Sequence, residues 1–551
     1  MGARREVPGE RRWDVLRYAT GWRGFVGIVV AVAFAAGCGG SSGSSDTSGT
    51  GGTPSGSSDA SLIVGTTDTA VHFDPANAYD LHSWNVIYSV YDMLMVIPAG
   101  GNEPQPSLAE SCAWDDPKTY NCTLRTGVTF SNGDPLTSKD VAFSFERSIK
   151  INGDQGVCFL LASLAECGTW TGKEITTPDD STVIFHLSAP DATWPFVLAT
   201  GAGAIVPSGV YPADALQPDD QVIGSGAYTL AKYQPGVQTV LERNADYWGD
   251  APKNARVLIQ YYKDSPALKL AIQGGDIDIA FRNLTATDIE ALRGESGINV
   301  VEGNGTEIRY LVFNTKLEPG NNKAVRRAVA YTVDRQSIVD NVYNGTVQPL
   351  YSMIPQGLVG ATEAYKDEYG DAPDVEAAKK ELSDAGVQTP VSIELWWTPS
   401  HYGDGSADEY TEIKRQLEES GLFKVTLKSE EWEQYTEDKA KDVFPAFQLG
   451  WFPDFPDADN YSSPFYPKGG FWNGHYDNPA INTAIAEEKA ATDVAAREAA
   501  FATIQELAAK DAPTVPVWQG KQIAVVKDGV TGVEETFDVA YIFRYWLISK
   551  G

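Results

Sequence analysis

Three observations predict a mixed α/β protein of two or more lobes. The chain has 551 residues, more than a single hydrophobic core of about 250 to 300 residues accommodates. Strand-like segments prevail from Leu62 to about Gly305. Helical periodicity takes over after that point, and short strand-like runs return near the C-terminal end. The composition, 42% hydrophobic, 11% aromatic and 21% charged, is that of a globular protein, and no apolar run reaches the roughly 20 residues a membrane helix needs.

The N-terminal segment reads as an export signal. Arg4, Arg5, Arg11, Arg12, Arg17 and Arg23 precede a short apolar stretch, Phe25 to Gly37, which ends at Ala36-Gly37-Cys38. A basic start, a short apolar centre and small residues before a cysteine describe a cleaved signal peptide over 1–37, and the end of it resembles a bacterial lipobox. Cys38 is then the lipidated first residue of the mature chain. Ala35 stands where that motif usually has Leu, which leaves simple cleavage nearby as the alternative. Residues 38–59 are nearly all Gly, Ser, Thr, Asp and Pro, too poor in apolar side chains to offset their ordering entropy, and predict a flexible tether. Loss of 1–37 takes six Arg and three acids, moving the formal charge from −31 to about −34, a balance that argues against nucleic acid or anionic lipid as a partner.

Four further cysteines, Cys112, Cys122, Cys158 and Cys167, form two closely spaced pairs. In an exported chain this spacing predicts disulfides 112–122 and 158–167. A zinc site is the rival, but neither pair has CxxC spacing and none of the five histidines lies nearby in sequence.

Element by element, Tyr120, Cys122 and Leu124 share one strand face, and Val183, Phe185 and Leu187 alternate in the same way. Val325, Ala328, Val329 and Thr332 follow helical spacing behind an Asn322 cap. Asp374 and Gly386 bracket a helix with Val375, Ala378, Leu382 and Ala385 on one face. Asn478-Pro479 starts a helix, and Arg497, Phe501, Ile504 and Ala508 continue one long helix that Pro513 stops. Ile523 to Val526 reads as a short strand, by which the chain returns to its first lobe.

A series of local landmarks runs in order: Asp74-Pro75-Ala76, Val90-Tyr91-Asp92, Ser107-Leu108-Ala109-Glu110, Leu124-Arg125-Thr126-Gly127-Val128-Thr129-Phe130, then Pro135-Leu136-Thr137-Ser138-Lys139-Asp140-Val141. Further on come Gly224-Ser225-Gly226-Ala227-Tyr228, Glu242-Arg243-Asn244-Ala245-Asp246-Tyr247-Trp248, Gly275-Asp276-Ile277-Asp278, Val325-Arg326-Arg327-Ala328 and Tyr476-Asp477-Asn478-Pro479. Each is weak alone; their ordered sum resembles the peptide/nickel class of ABC-importer substrate-binding proteins (family 5 extracellular solute-binding proteins) from about residue 60 to the end. The resemblance implies an α/β, two-lobed periplasmic-binding-protein-like fold with an additional subdomain inserted in the first lobe. Lobe I would comprise 60–98, 178–305 and 512–551, the insertion 99–177 and lobe II 306–511. Ligand would lie between the lobes, which close on it.

The same resemblance points to Gly450-Trp451-Phe452-Pro453-Asp454. In peptide-binding relatives the acid three residues after a tryptophan pairs with the peptide α-amino group, and Asp454 holds that place. A desolvated ammonium needs such a charged partner. Gly450, Trp451 and Phe452 would offer backbone hydrogen bonds to an extended peptide; Pro453 has no N–H to give. The bland alternative makes Trp451 and Phe452 core aromatics and Asp454 a turn cap. Trp396 and Trp397 face opposite ways at the end of a strand, and Trp397 is taken as the one facing the cleft. Tyr79 to Ser83 would line its other wall. Arg326-Arg327, Glu430-Glu431 and Glu487-Glu488 read as solvated faces.

These readings describe an extracytoplasmic, lipid-anchored, monomeric binding protein that delivers short peptides to ABC permease subunits with a separate ATPase, without cofactor, metal or catalytic residues. Oligosaccharides or a nickel chelate on the same scaffold are the alternatives. Asp454 favours peptide, because a neutral sugar gives a buried carboxylate no ionic partner. A secreted hydrolase is remote: the sequence has no H-E-x-x-H, and its G-x-S-x-G, Gly39 to Gly43, falls in the tether without strand–turn–helix context.

Overall fold

The computed structural model describes residues 58–551 except 400, 404 and 492. The expected signal peptide, Cys38 and all but the last two residues of the expected tether lie outside the described part. Ser55–Gly551 form a compact unit of their own, organised around one long mixed sheet. Its strands run in the order 423–429, 391–397, 446–451, 298–313, 514–527, 279–281, 58–66, 254–261, 238–243 and 228–234.

Two antiparallel strands at the centre, Ile298–Phe313 and Thr514–Lys527, serve both ends of this sheet. Their register breaks between Asn304 and Ile308, so one pair of strands changes direction between two packing environments. Gly305 sits at that break, and a Cβ there would come within 2.4 Å of the Tyr541 hydroxyl and 2.8 Å of the Gly520 carbonyl oxygen. On one side Leu62, Val64, Val257, Ile259 and Phe543 build a core; on the other Leu311, Phe313, Val329, Ile393 and Leu417 build a second. Strand 514–527 has 14 residues, where the sequence predicts a short run at 523–526: its first half, Thr514 to Gly520, is buried almost throughout, which erases the alternation that marks a half-exposed strand.

Residues 109–186 contribute a separate four-stranded antiparallel sheet, ordered 109–116, 119–124, 182–186, 175–176. Tyr120, Cys122, Leu124, Val183 and Phe185 point into one core beneath it. Disulfides join Cys112 to Cys122 and Cys158 to Cys167; the first links directly opposed residues of a strand pair.

Helices begin where side chains can cap them. Asn322 accepts from Ala324 N and starts Lys323–Thr332; Asp374 accepts from Ala377 N and starts Val375–Asp384. The long helix expected from Asn478 to Pro513 is two helices, Pro479–Ala490 and Val494–Asp511. Asp493 caps the second by accepting from Ala495 N and Ala496 N, and a side-chain acceptor at that place restarts the backbone ladder instead of continuing it. The first half holds more helix than strand-like alternation predicts, including Leu81–Val90, Ser138–Ile151 and Ser265–Gly274.

Two charged pairs read as solvated are not. Arg326 is buried, donating to the Gly320 and Asp511 carbonyl oxygens, and Arg327 pairs with Glu368 and Glu381. Glu488 is buried against Arg497 at 3.0 Å while Glu487 stays exposed. In the second pair the helix turns the two neighbours about 100° apart, so Glu488 faces the protein and Glu487 faces outward; in the first, both arginines find partners within the protein.

Candidate functional site

The strand Ala446–Trp451 lies against Ile298–Phe313, with Gly450 opposite Arg309 and Trp451 opposite Ile308. Pro453 and Pro456 then prevent strand continuation, and Asp457 caps the short turn Ala458–Tyr461 by accepting from Asp459 N. Arg497 holds that cap with two parallel bonds to Asp457, at 2.7 and 2.8 Å. The turn delivers Asn460, whose side chain organises the loop: its Oδ1 accepts from Trp451 Nε1 and from Asp454 N, both at 2.9 Å, and its Nδ2 donates to Asp454 Oδ2 at 3.1 Å.

The other oxygen of Asp454 accepts from the Tyr79 hydroxyl at 2.6 Å. Tyr79 is fixed from below. Asp74, fully buried, caps the turn Pro75–Asn77 and accepts a bond from Arg147 Nη1 at 2.6 Å. Asn77 Oδ1 then accepts from Gln155 N, and Tyr79 N donates to Gln155 O at 3.1 Å. The Asp-Pro-Ala landmark is thus a buried ion pair that aims an aromatic residue five positions later. Of the segment Tyr79 to Ser83, Tyr79 alone bonds Asp454; Asp80 caps the next helix, and Ser83 is buried and accepts from Val71 N.

Asp454 stands in the wall of a cavity of about 830 Å³. Phe159, Leu160 and Val197 line one side, and Trp451, Phe455, Asn460, Pro464 and Phe471 line the other. Burial pushes the Asp454 carboxyl up to about 6, with the bonds from Tyr79 and Asn460 opposing the rise. Burial, with the carboxylate facing it, pushes the Tyr79 phenol up, so it remains a donor at neutral pH. The wall therefore offers a partly desolvated carboxylate, oriented by two side-chain donors, in a cavity of mixed lining that also holds Asp191, Asp459 and Lys489. That arrangement can hold a cation with hydrogens to donate.

The other residues singled out in the sequence are placed elsewhere. Phe452 lines a smaller cavity of about 190 Å³ with Arg282, Glu307 and Tyr541, its ring 5.0 Å from the Arg282 guanidinium. Gly450 gives room to the buried Arg309, since a Cβ there would lie 2.4 Å from Arg309 Nη1. Trp397 packs against the core around Leu395 and Tyr410, and Trp396 stacks on Phe444 at 4.4 Å; neither lines the cavity that holds Asp454. Of the five residues expected to share one site, Trp451 and Asp454 line one cavity, and Gly450, Phe452 and Trp397 are not in its lining. Sequence reasoning gave no role to Asn460, Phe159 or Phe471. A polar residue six positions after Asp454, in a run thick with turn formers, was the available signal for Asn460; the two phenylalanines carried none.

Comparison with known proteins gives the family and the fold. Residues 103–473 match the model of the bacterial extracellular solute-binding proteins, family 5. A probable D,D-dipeptide-binding periplasmic protein of Escherichia coli (strain K12) is 28% identical over 491 residues, 85% of this chain and 90% of its own length. A heme-binding protein A of Haemophilus influenzae is 25% identical over 509 residues, 86% and 90% of the two chains. The periplasmic binding protein DppA of Helicobacter pylori, solved with the peptide STSA, superposes with a TM-score of 0.72 at 22% identity, covering 89% of this chain and 98% of that one. At that identity the likeness shows the fold alone, an α/β, two-lobed binding-protein fold. With the family model matching well over half of its length, the chain belongs to the family 5 bacterial extracellular solute-binding proteins.

Proposed function

We propose that this protein captures short peptides by their free α-ammonium group, on Asp454, and delivers them to an ABC-type permease driven by a separate ATPase. The observation that carries the reading is Asp454 itself: a carboxylate half-buried in a cavity of mixed lining gains a charge-assisted bond from an ammonium ion and nothing comparable from a neutral sugar. Trp451 forms the adjoining wall. The dipeptide-binding relative supports the same class of ligand, while the heme-binding relative shows that the family alone does not choose it.

The rest of the reading follows from the sequence. Cys38 anchors the chain through lipid on the outer face of the membrane, 38–59 tethers it, and lobes bounded near 305 and 511, with the insertion 99–177, close on ligand as a hinge. The chain acts as a monomeric binding component and carries no catalytic group. Calorimetric titration with di- to hexapeptides, cello- and malto-oligosaccharides and nickel tests it. Heat of binding from peptides alone is the expected result; saturation by sugar or nickel in place of peptide overturns the peptide assignment.

A further inference from the structure

Of the large hydrophobic side chains exposed among the described residues, two are aromatic: Phe159, 42% exposed, and Phe471, 46% exposed. Exposed apolar residues scattered singly need no explanation. These two, 312 positions apart in sequence, line one cavity, the one that holds Asp454.

Each is attached to the anchor by a short chain of contacts. On one side the Phe159 ring meets Tyr79 edge-on, centroids 4.8 Å apart, and Tyr79 donates to Asp454 Oδ1. On the other, Phe471 lies 5.3 Å from Trp451, whose indole N–H bonds Asn460, which bonds Asp454 Oδ2. The carboxylate is thus flanked by two aromatic arms whose outer rings are left half open. Both rings are held in place by their own loops. Phe159 follows Cys158, which is tied to Cys167. Phe471 N donates to Pro464 O at 2.7 Å, in a turn where Gly470 has no room for a Cβ, the nearest atom being 2.5 Å away. Rings already fixed in position lose little conformational freedom when a ligand covers them.

We infer that Phe159 and Phe471 receive a large apolar side chain on the residue that bears the free ammonium, so that the protein selects peptides with an aromatic or bulky aliphatic first residue. Both rings open on the cavity that holds Asp454, so a side chain on the α-carbon that bears the ammonium shares that space with them. This deepens the peptide reading above and rests on it.

The test is calorimetry at pH 7.5 on the intact chain with four ligands: Phe-Ala-Ala, Ala-Phe-Ala, Ala-Ala-Ala and N-acetyl-Phe-Ala-Ala. Phe-Ala-Ala is expected to bind about tenfold or more tightly than Ala-Ala-Ala, in line with burial of one aromatic side chain, with Ala-Phe-Ala close to the latter. Phe159→Ser and Phe471→Ser, at exposed positions and checked for an unchanged melting temperature, should each shrink that ratio to within about threefold. Equal binding of Phe-Ala-Ala and Ala-Ala-Ala, an equal gain from Ala-Phe-Ala, or a ratio that survives both substitutions overturns the inference and leaves the peptide reading intact. Binding by none of the four, or equally by the acetylated peptide, overturns the ammonium anchor and the inference with it.

Discussion

The Tyr79 hydroxyl donates a 2.6 Å hydrogen bond to Asp454 from 375 positions away in the sequence. With Asn460 on the second oxygen, this bond keeps a half-buried carboxylate oriented and limits the rise that burial imposes on it.

Tyr79→Phe removes that donor. The Asp454 carboxyl then loses one of the two interactions that favour its charged form, so the pH at which peptide binding is half lost moves upward from about 6. Titrations of wild type and Tyr79→Phe across pH 5 to 8 read the shift. An unchanged midpoint would show that the hydroxyl does not act on the carboxylate.

The pH dependence of the wild type follows from the same group. An ammonium ligand needs the carboxylate, and with the carboxyl at about 6 only about a tenth is ionised at pH 5, so affinity there is about tenfold below that at pH 7.5. For stability the sign is opposite. Between the usual 3.8 and about 6 the folded chain holds a proton on Asp454 that the unfolded chain has lost, so this contribution is largest below 3.8 and declines as pH rises through about 6. Asp454→Asn flattens both dependences, as calorimetry and thermal melts at matched pH values would show.

Arg147→Met leaves Asp74 buried without its cation. The two side chains are 2% and 0% exposed, and a broken buried pair costs about 3 to 5 kcal/mol. Urea unfolding measures it. The double substitution Arg147→Met/Asp74→Leu should cost less than the sum of the singles, because no unpaired charge remains; strict additivity would mean the two are not a pair.

Gly450→Ala separates packing from ligand contact. Its added methyl meets the Arg309 guanidinium, so the variant loses about 1 to 3 kcal/mol of stability while binding peptide as wild type does once folded. A stable variant that no longer binds would return Gly450 to the site.

Much of this fold was legible because local chemistry and architecture agree. Asn322, Asp374 and Asn478 cap helices where their side chains say they should, and the strand around Cys122 alternates as a half-buried strand does. Strand 514–527 was shortened because burial on both faces leaves no period to read. The site was half legible: Asp454 and Trp451 are close in sequence, and a family resemblance marks them. Tyr79 lies in a segment that the sequence already placed on the opposite wall; Phe159 and Phe471 meet the site only through tertiary packing, and nothing in a one-dimensional pattern distinguishes a phenylalanine at a cavity mouth from one in a core. Arg326 is buried where charge alone suggested solvent, since it finds its partner in the Asp511 carbonyl oxygen, 185 positions away.

Thermal unfolding with a free-amine tripeptide and its N-acetylated form, on wild type and Asp454→Asn, tests the ammonium anchor most directly. Ligand at a hundred times its dissociation constant adds about 2.7 kcal/mol, a shift of a few degrees in a chain of this size. The account predicts that shift for the free amine on wild type, and none with the acetylated peptide or on Asp454→Asn. Equal shifts from both peptides, or a full shift on Asp454→Asn, would contradict it.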